Sequence, residues 1–532
     1  MPIIYPSYLE NNKDFVYDIC IIGAGLSGQI VASNIKDKKI ILIDSGKINF
    51  SKEVQDLNKI EMGGLKFREE FTNRVRQLGG SANMWANQLM FLDKYEIEDR
   101  HWLGENLSWP VDYDELKKNY SEIIFNLYGK SLENPFDKVS DRNFYSTLEN
   151  EFLNEKNISL VNCIWPNKVE KFDIHSKFTK KIIHNKNIHL ISNFTATDFH
   201  INENIEKLTE VTFLSENKKI SIKANTFVLA CGAIENARIL LNNQSKFKIL
   251  DNKNIGKYFM DHININLGYI KSKNKLPLSI LFGMKYRKFD IRKCIKFSEN
   301  FQKEKGILSC HSYIDPVYEK NDEDIFWNLL KEIKKFIRLK GIPKLELKKM
   351  NFRKTIEQLY FRVPPQVSNS ILNSFLRSIL CSNKNYLSFN KLKIFFQGEQ
   401  LPNVNSKIYL SQKRDRYNQN IAIVDWKLDK VDYQSQNEFI EILSKKFKSH
   451  EFLNFETNSN MKILDVSHHS GTTRMSNNKN DGVVDKNCKY HDLKNLYICG
   501  SSVFKTIGSG NTGLSIMAIS NRLGNYLNKN LN

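Results

Sequence analysis

The run Tyr17-Asp18-Ile19-Cys20-Ile21-Ile22 is followed without a break by Gly23-Ala24-Gly25-Leu26-Ser27-Gly28. The first stretch is short, apolar and β-branched, as a strand buried in a parallel sheet must be. Gln29-Ile30-Val31-Ala32-Ser33-Asn34-Ile35 continues with helical spacing, and Lys39-Ile40-Ile41-Leu42-Ile43 forms a second strand ending in Asp44-Ser45-Gly46. The three glycines differ in what they permit. Gly23 allows a tight turn, Gly25 lets the backbone approach a pyrophosphate, and Gly28 lets helix and strand pack closely. The helix start offers free N–H groups and a positive dipole end to phosphate. Asp44, 16 residues after Gly28, can accept hydrogen bonds from a ribose hydroxyl. Strand, helix, strand and acid around the glycines predict a dinucleotide site over Gly23, Ala24, Gly25, Leu26, Ser27, Gly28, Asp44 and Ser45. The motif alone does not separate FAD from NAD.

Further glycine turns follow along the chain. Leu78-Gly79-Gly80-Ser81-Ala82-Asn83-Met84-Trp85 suits backbone passing close to a flat ligand. Phe227-Val228-Leu229-Ala230-Cys231-Gly232-Ala233 reads as an apolar strand ending in small residues, and Ile234 to Leu241 as a helix. Asn495-Leu496-Tyr497-Ile498-Cys499-Gly500-Ser501 repeats the strand-to-turn pattern. Gly508-Ser509-Gly510-Asn511-Thr512-Gly513 is a glycine loop feeding a final helix.

The 532 residues allow two to four domains. A hydrophobic fraction of 41% and a charged fraction of 26% exclude a wholly disordered chain. Lys and Arg number 79 against 59 Asp and Glu, a net charge of +20, which favours acidic partners or reflects lysine spread over solvated surfaces. No nucleic-acid-binding module accompanies that charge, so no nucleic-acid partner is expected. Met1-Pro2-Ile3-Ile4-Tyr5-Pro6 lacks a basic segment followed by an apolar core, and no apolar run reaches spanning length. The cysteines at 20, 163, 231, 294, 310, 381, 488 and 499 include no CxxC pair, so neither a zinc site nor a disulfide framework is expected. The expected compartment is cytoplasmic.

With these turns in order, the chain resembles the glucose–methanol–choline (GMC) oxidoreductases. Further matches are Trp109-Pro110-Val111-Asp112-Tyr113-Asp114-Glu115-Leu116 and Ile255-Gly256-Lys257-Tyr258-Phe259-Met260-Asp261-His262. Glu399-Gln400-Leu401-Pro402-Asn403 with Ser406, Ile408, Leu410, Ser411 and Asp415 follows, then Ser467-His468-His469-Ser470-Gly471-Thr472 and the Asn511 loop. The motifs look most like the pyranose oxidase and sugar dehydrogenase branch.

The resemblance implies an α/β fold. A Rossmann-like FAD-binding domain would use 1–100, 185–262 and 462–532. A discontinuous substrate domain of antiparallel sheet plus helices would use 101–184 and 263–461. It also implies FAD, with Gly79, Gly80, Ser81, Asn83, Met84, Ala196, Ala230, Cys231, Gly232, Gly500, Ser501 and Thr512 added to the cofactor site. His468, the His of HxxGT, would take the hydroxyl proton of an alcohol while its hydride goes to flavin N5. Asn511 would stabilise the substrate oxygen. The family offset selects His468 over the adjacent His469. His262 and His311 read as structural, and His101 is unassigned.

Three departures stand out. Met84 occupies the position where some relatives attach FAD through a His, so the FAD is expected to be non-covalent. No metal is expected. Thr512 follows Asn511 where the family usually has Pro, and Asp44 replaces the more usual Glu.

Residues 331–354 hold ten Lys or Arg and two Glu, after apolar positions at helical spacing from Ile325 to Ile337. This basic amphipathic segment, 325–354, could pack on its own domain, dock an electron acceptor, border a pocket for a phosphorylated or nucleotide-linked substrate, or lie on an anionic membrane. The leading expectation is an FAD-dependent enzyme, a dehydrogenase in preference to an oxidase, acting on a sugar-like secondary alcohol. The alternatives are a non-redox lyase or isomerase of the same fold and a membrane-surface binding protein on an enzyme scaffold.

Overall fold

The computed structural model describes residues 14–66, 74–85, 88–104, 107–128, 156–166, 177–216, 218–277, 285–286, 289–316, 388–448, 450–451 and 453–531. The basic segment 325–354 and Cys381 lie outside the described residues.

In chain order the first strands are β1 (Val16–Ile22), β2 (Ile40–Asp44), β3 (Ile60–Met62), β4 (Ile158–Pro166), β5 (Ile188–Ser192), β6 (Thr195–Asn202), β7 (Lys207–Ser215) and β8 (Lys218–Leu229). After them come β9 (Ile263–Pro277), β10 (Lys285–Tyr286), β11 (Phe289–Phe297), β12 (Cys310–Pro316) and β13 (Ser388–Gly398). The last are β14 (Lys407–Arg414), β15 (Asn420–Asp425), β16 (Leu453–Thr457), β17 (Leu464–Asp465) and β18 (Leu496–Ile498). Three helices build the site: α1 (Leu26–Asn34), α2 (Ala233–Gln244) and α3 (Gly513–Asn530).

The N-terminal strands enter a seven-stranded sheet of order β5-β2-β1-β8-β7-β6, with β18 also on β8. β1 runs parallel to β2 and β8, β2 to β5, and β18 to β8, while β6, β7 and β8 pair antiparallel. β2 is buried at every residue, which explains its unbroken apolar run. β8 is longer than its apolar end suggests. Its first half alternates exposed and buried positions where it leaves the core, and the apolar run is only its central end.

A second, eight-stranded sheet is antiparallel, in the order β10-β11-β12-β13-β9-β16 with β4 on β11 and β17 on β9. A small third sheet joins β14, β15 and β3, tying residues 60–62 to 422–424. The α/β fold with a largely parallel nucleotide-type sheet and a separate antiparallel sheet is therefore as the sequence implied.

Close packing fixes the mouth of the first sheet. A Cβ on Gly28 would lie 1.9 Å from the Gly23 carbonyl oxygen, so α1 sits on the β1 turn at a distance no other side chain permits. α3 approaches α1 similarly: a Cβ on Gly524 would be 2.9 Å from Asn34 Cβ, and the Ser27 and Ser520 hydroxyls are 2.6 Å apart. Gly28→Ala is expected to cost roughly 1–3 kcal/mol through overpacking. Thermal melting of the purified variant checks this, and an unchanged midpoint would contradict it.

Candidate active site

A cavity of about 550 Å³ opens where β1, β2, β8 and β18 end. The turn after β1 forms its floor. Gly23 has φ +102°, and a Cβ there would lie 2.6 Å from the Ala230 carbonyl oxygen. Gly25 caps α1, and a Cβ on it would meet nothing within 4 Å; the same holds for Gly232 at the start of α2.

Of the residues expected at the cofactor, Gly23, Gly25, Leu26, Ser27, Asp44, Ser45, Gly80, Ser81 and Met84 border this cavity. So do Ala196, Ala230, Cys231, Gly232, Gly500, Ser501 and Thr512, together with His468 and Asn511. Ala24, Gly28, Gly79 and Asn83 stand behind its wall. Gly79 pairs with Gly25, and the Asn83 amide donates to the Leu78 carbonyl at 2.9 Å. Asp44 has a second role that its place in the sequence did not reveal. Its carboxylate accepts from Ala24 N at 2.7 Å and Gly46 N at 2.6 Å, bracing both turns. Burial raises its pKa against those two N–H groups and Arg76.

At the Asp44 end, four residues form a buried ion cluster. Glu235 on α2 meets Arg76 at 2.8 Å, Arg238 at 3.0 Å and Arg74 at 3.6 Å, and Arg238 also pairs with Asp415 at 3.1 Å. Burial opposes the charge on Glu235, but Arg238, Arg76 and Arg74 outweigh it and hold its carboxyl at about 2. Burial pushes the Arg74 guanidinium down to about 10. Arg76 donates to Ser45 Oγ at 2.9 Å, joining the cluster to the cofactor turn.

At the other end lie the histidines. His262 Nε2 is 2.8 Å from the Gly508 carbonyl oxygen, and His262 Nδ1 is 2.8 Å from His468 Nδ1. A carbonyl can only accept, so Nε2 of His262 carries a hydrogen. Burial drives the His262 pKa down to about 4, so the ring is neutral and its Nδ1 is an acceptor. His468 Nδ1 is then the donor, which leaves the lone pair of a neutral His468 on Nε2. This tautomer is assigned from the bonding network.

Asp261 sets the backbone beneath this pair. Its carboxylate accepts from His468 N at 2.8 Å and Ser467 N at 3.0 Å, holding Ser467 at φ +66°. Burial, with Asp465 nearby, raises Asp261 to about 8.

His469 also borders the cavity, so adjacency alone does not separate it from His468. It is buried against the Phe259 ring at 5.5 Å, with Nε2 3.6 Å from Asp261, and burial lowers its pKa to about 3. Asp261, His262 and His468, and likewise Asp261, Asp465 and His469, bring ligand-type atoms within 4.8 Å of one another and could hold an ion. In the structure Asp261 accepts from backbone N–H groups, His262 bonds His468 and the Gly508 carbonyl, and Asp465 accepts from the Ser467 hydroxyl at 3.2 Å.

Asn511 is held at both ends of its amide. Its Oδ1 accepts from Gln397 Nε2 at 2.9 Å and its Nδ2 donates to Gln88 Oε1 at 2.6 Å, leaving a second N–H to offer. The loop before it is anchored by Glu96, which accepts from Ser509 N and Ser509 Oγ at 3.0 Å and pairs with Lys296 at 2.8 Å.

Residues 402–520 match the family model described as GMC oxidoreductase. Among solved structures, pyridoxine 4-oxidase from Mesorbium loti is similar, with a TM-score of 0.57 and 13% identity over 96% of this chain and 99% of that one. Formate oxidase of Aspergillus oryzae RIB40, studied for modification of its FAD, is similar with a TM-score of 0.53 and 14% identity over 97% and 99%. No curated protein matches the sequence at a significant level. The chain has the GMC oxidoreductase fold.

The residues of this chain fit the FAD that its fold implies. Gly25 and Gly232 leave open space where their turns face the cavity. Sequence reading missed His262 as more than structural, along with Gln88, Gln397 and the Arg74–Arg76–Glu235–Arg238 cluster. The signal for the cluster was present in Arg74 and Arg76 just before the double glycine, and in Glu235 three residues before Arg238. His101 is exposed beside Asp99 at 3.0 Å, away from these contacts.

His311 bonds the Ser509 carbonyl through Nδ1, and burial lowers its pKa to about 3. The unfolded chain takes up this proton below about pH 6.5 and the folded chain does not, so His311 costs stability progressively as pH falls from about 6.5 to 3. Relative to His311→Asn, the native protein is expected to lose about 2 kcal/mol more between pH 7 and pH 5. Urea midpoints at the two pH values measure the difference, and parallel shifts would exclude it.

Proposed function

We propose that this protein is an FAD-dependent oxidoreductase that oxidises a sugar-like secondary alcohol, with the FAD held non-covalently. The observation that carries the reading is the His262–His468 bond, because it leaves an unprotonated Nε2 on the residue that matches the family's base. When bound, the flavin supplies the hydride acceptor, which no side chain of this protein can replace. His468 Nε2 takes the hydroxyl proton, and His262 holds the ring in the receptive tautomer. Asn511, oriented by Gln88 and Gln397, donates its remaining N–H to the substrate oxygen as negative charge develops there. The backbone around Gly23, Gly25, Gly80 and Gly232 holds the cofactor, with Ser45 and the arginine cluster beside the Asp44 turn. Met84 offers a thioether at the double-glycine turn, not an imidazole for attachment. In this reading the FAD domain takes 1–100, 185–262 and 462–532, and the substrate domain takes 101–184 and 263–461.

An anaerobic screen of sugars, glycosides and nucleotide sugars, with pyridoxine and formate as comparison substrates, tests the proposal. Bleaching of the flavin by a sugar or glycoside is the expected result. Substrate consumed without bleaching would indicate a lyase or isomerase, and bleaching by none of them would end the sugar reading. Acid precipitation is expected to release all flavin into solution; a yellow pellet would exclude non-covalent attachment.

A further inference from the structure

Outside the catalytic site, a sulfur cluster lies between the two strands β4 and β11. Cys163 on β4 is paired with Arg292, and Cys294 on β11 is paired with Val161. The two cysteines therefore lie two residues along from directly opposite positions, on one face of the sheet. Their Sγ atoms are 2.9 Å apart, and Cys163 Sγ also lies 3.5 Å from Met90 Sδ. Both are thiols with no disulfide bond, and both are buried, Cys163 at 0% and Cys294 at 1% exposure.

The location connects them to the catalytic residues. Leu89 pairs with Ile164, the neighbour of Cys163, by two backbone hydrogen bonds of 2.8 and 3.2 Å. The residue before Leu89 is Gln88, which borders the cavity and receives the Asn511 amide hydrogen. The residue after it is Met90, which touches Cys163 and packs beneath Gly510. The thiols thus lie one layer behind the cavity wall, under the segment that orients Asn511.

We infer that Cys163 and Cys294 are a dithiol pair that closes to a disulfide on exposure to a peroxide. One thiol, as thiolate, attacks the peroxide oxygen, breaking the O–O bond and forming a sulfenic acid with loss of one water. The second sulfur attacks the sulfenic sulfur, the S–O bond breaks, and a second water leaves. Two thiols are oxidised by two electrons and one hydrogen peroxide is reduced to two waters. Burial limits contact with larger oxidants, but the second step is intramolecular between atoms already in contact, which favours it strongly over further oxidation. The bond would staple β4 to β11 at the place where β4 holds the Gln88–Met90 segment. The dithiol chemistry does not depend on which substrate the cavity takes.

The test uses the full chain with its cofactor. One sample is treated with hydrogen peroxide and one with a phosphine reductant. Free thiols are then blocked with N-ethylmaleimide in denaturant, and the digests are analysed by mass spectrometry without reduction. A linked peptide pair containing Cys163 and Cys294, present after peroxide and absent after reductant, is expected. Full alkylation of both cysteines after peroxide would overturn the inference. So would sulfinic or sulfonic acid on either cysteine without the link, or linkage of either to a different cysteine.

Discussion

Replacing His468 with alanine is expected to slow reduction of the flavin by substrate on the order of 10²–10⁴-fold, the range in which a positioned general base contributes. The flavin itself should stay bound, because the groups placed to hold it are backbone of the glycine turns and the Arg76–Ser45 contact, which this substitution leaves in place. Stopped-flow reduction under anaerobic conditions separates the two effects. The bonding chain makes the expectation specific. Gly508 O fixes His262 Nε2–H, His262 Nδ1 accepts from His468 Nδ1, and the basic lone pair is left on Nε2. His262→Ala removes the acceptor that selects this tautomer and should slow reduction less, with a changed pH profile. Asn511→Ala should also be milder, since it removes a donor and leaves the base. Near-normal reduction in the His468 variant would remove His468 as the base and pass the role to another group at the cavity.

The glycine-turn half of the candidate site was legible in the sequence because its determinants are local. A buried strand, glycines at fixed offsets and a helix start within a dozen residues carry their own geometry, and Gly28 shows it: its missing Cβ is what lets Gly23 O sit beneath α1. Asp44 was found for the same reason, although its bonds to Ala24 N and Gly46 N show that it braces the turns as well as facing the cavity. His262 was not legible. Its partner His468 is 206 residues away, and only the fold that pairs β9 with β17 brings the two rings together. Gln397 reaches Asn511 across 114 residues and Gln88 across 423, and neither glutamine belongs to a motif with local geometry. The Cys163–Cys294 contact likewise depends on strand register, which spacing between cysteines does not reveal. What the sequence could not supply was, in each case, the identity of a distant partner.

Glu235 gives the largest expected effect on stability. At 8% exposure it faces Arg74, Arg76 and Arg238; among the described residues Arg238 also pairs with Asp415, and Arg76 also interacts with the Asp44 carboxyl. Its carboxyl is held at about 2, below its ordinary value, so its contribution is complete at neutral pH and lost only as pH falls from about 4.5 toward 2. Glu235→Gln keeps the shape and removes the charge. Arg74 and Arg76 are then buried cations beside the Asp44 turn without their salt-bridge partner, and breaking a buried pair this way costs about 3–5 kcal/mol. Melting of the full chain should show a midpoint lower by several degrees at pH 7, and the flavin content of the purified protein should fall because Arg76 also holds Ser45. Glu235→Asp retains the charge and should recover part of the loss, which distinguishes electrostatics from packing. A midpoint equal to that of the native protein, with full flavin content, would show that water or the remaining carboxylates already neutralise the arginines and that Glu235 is dispensable to the cavity.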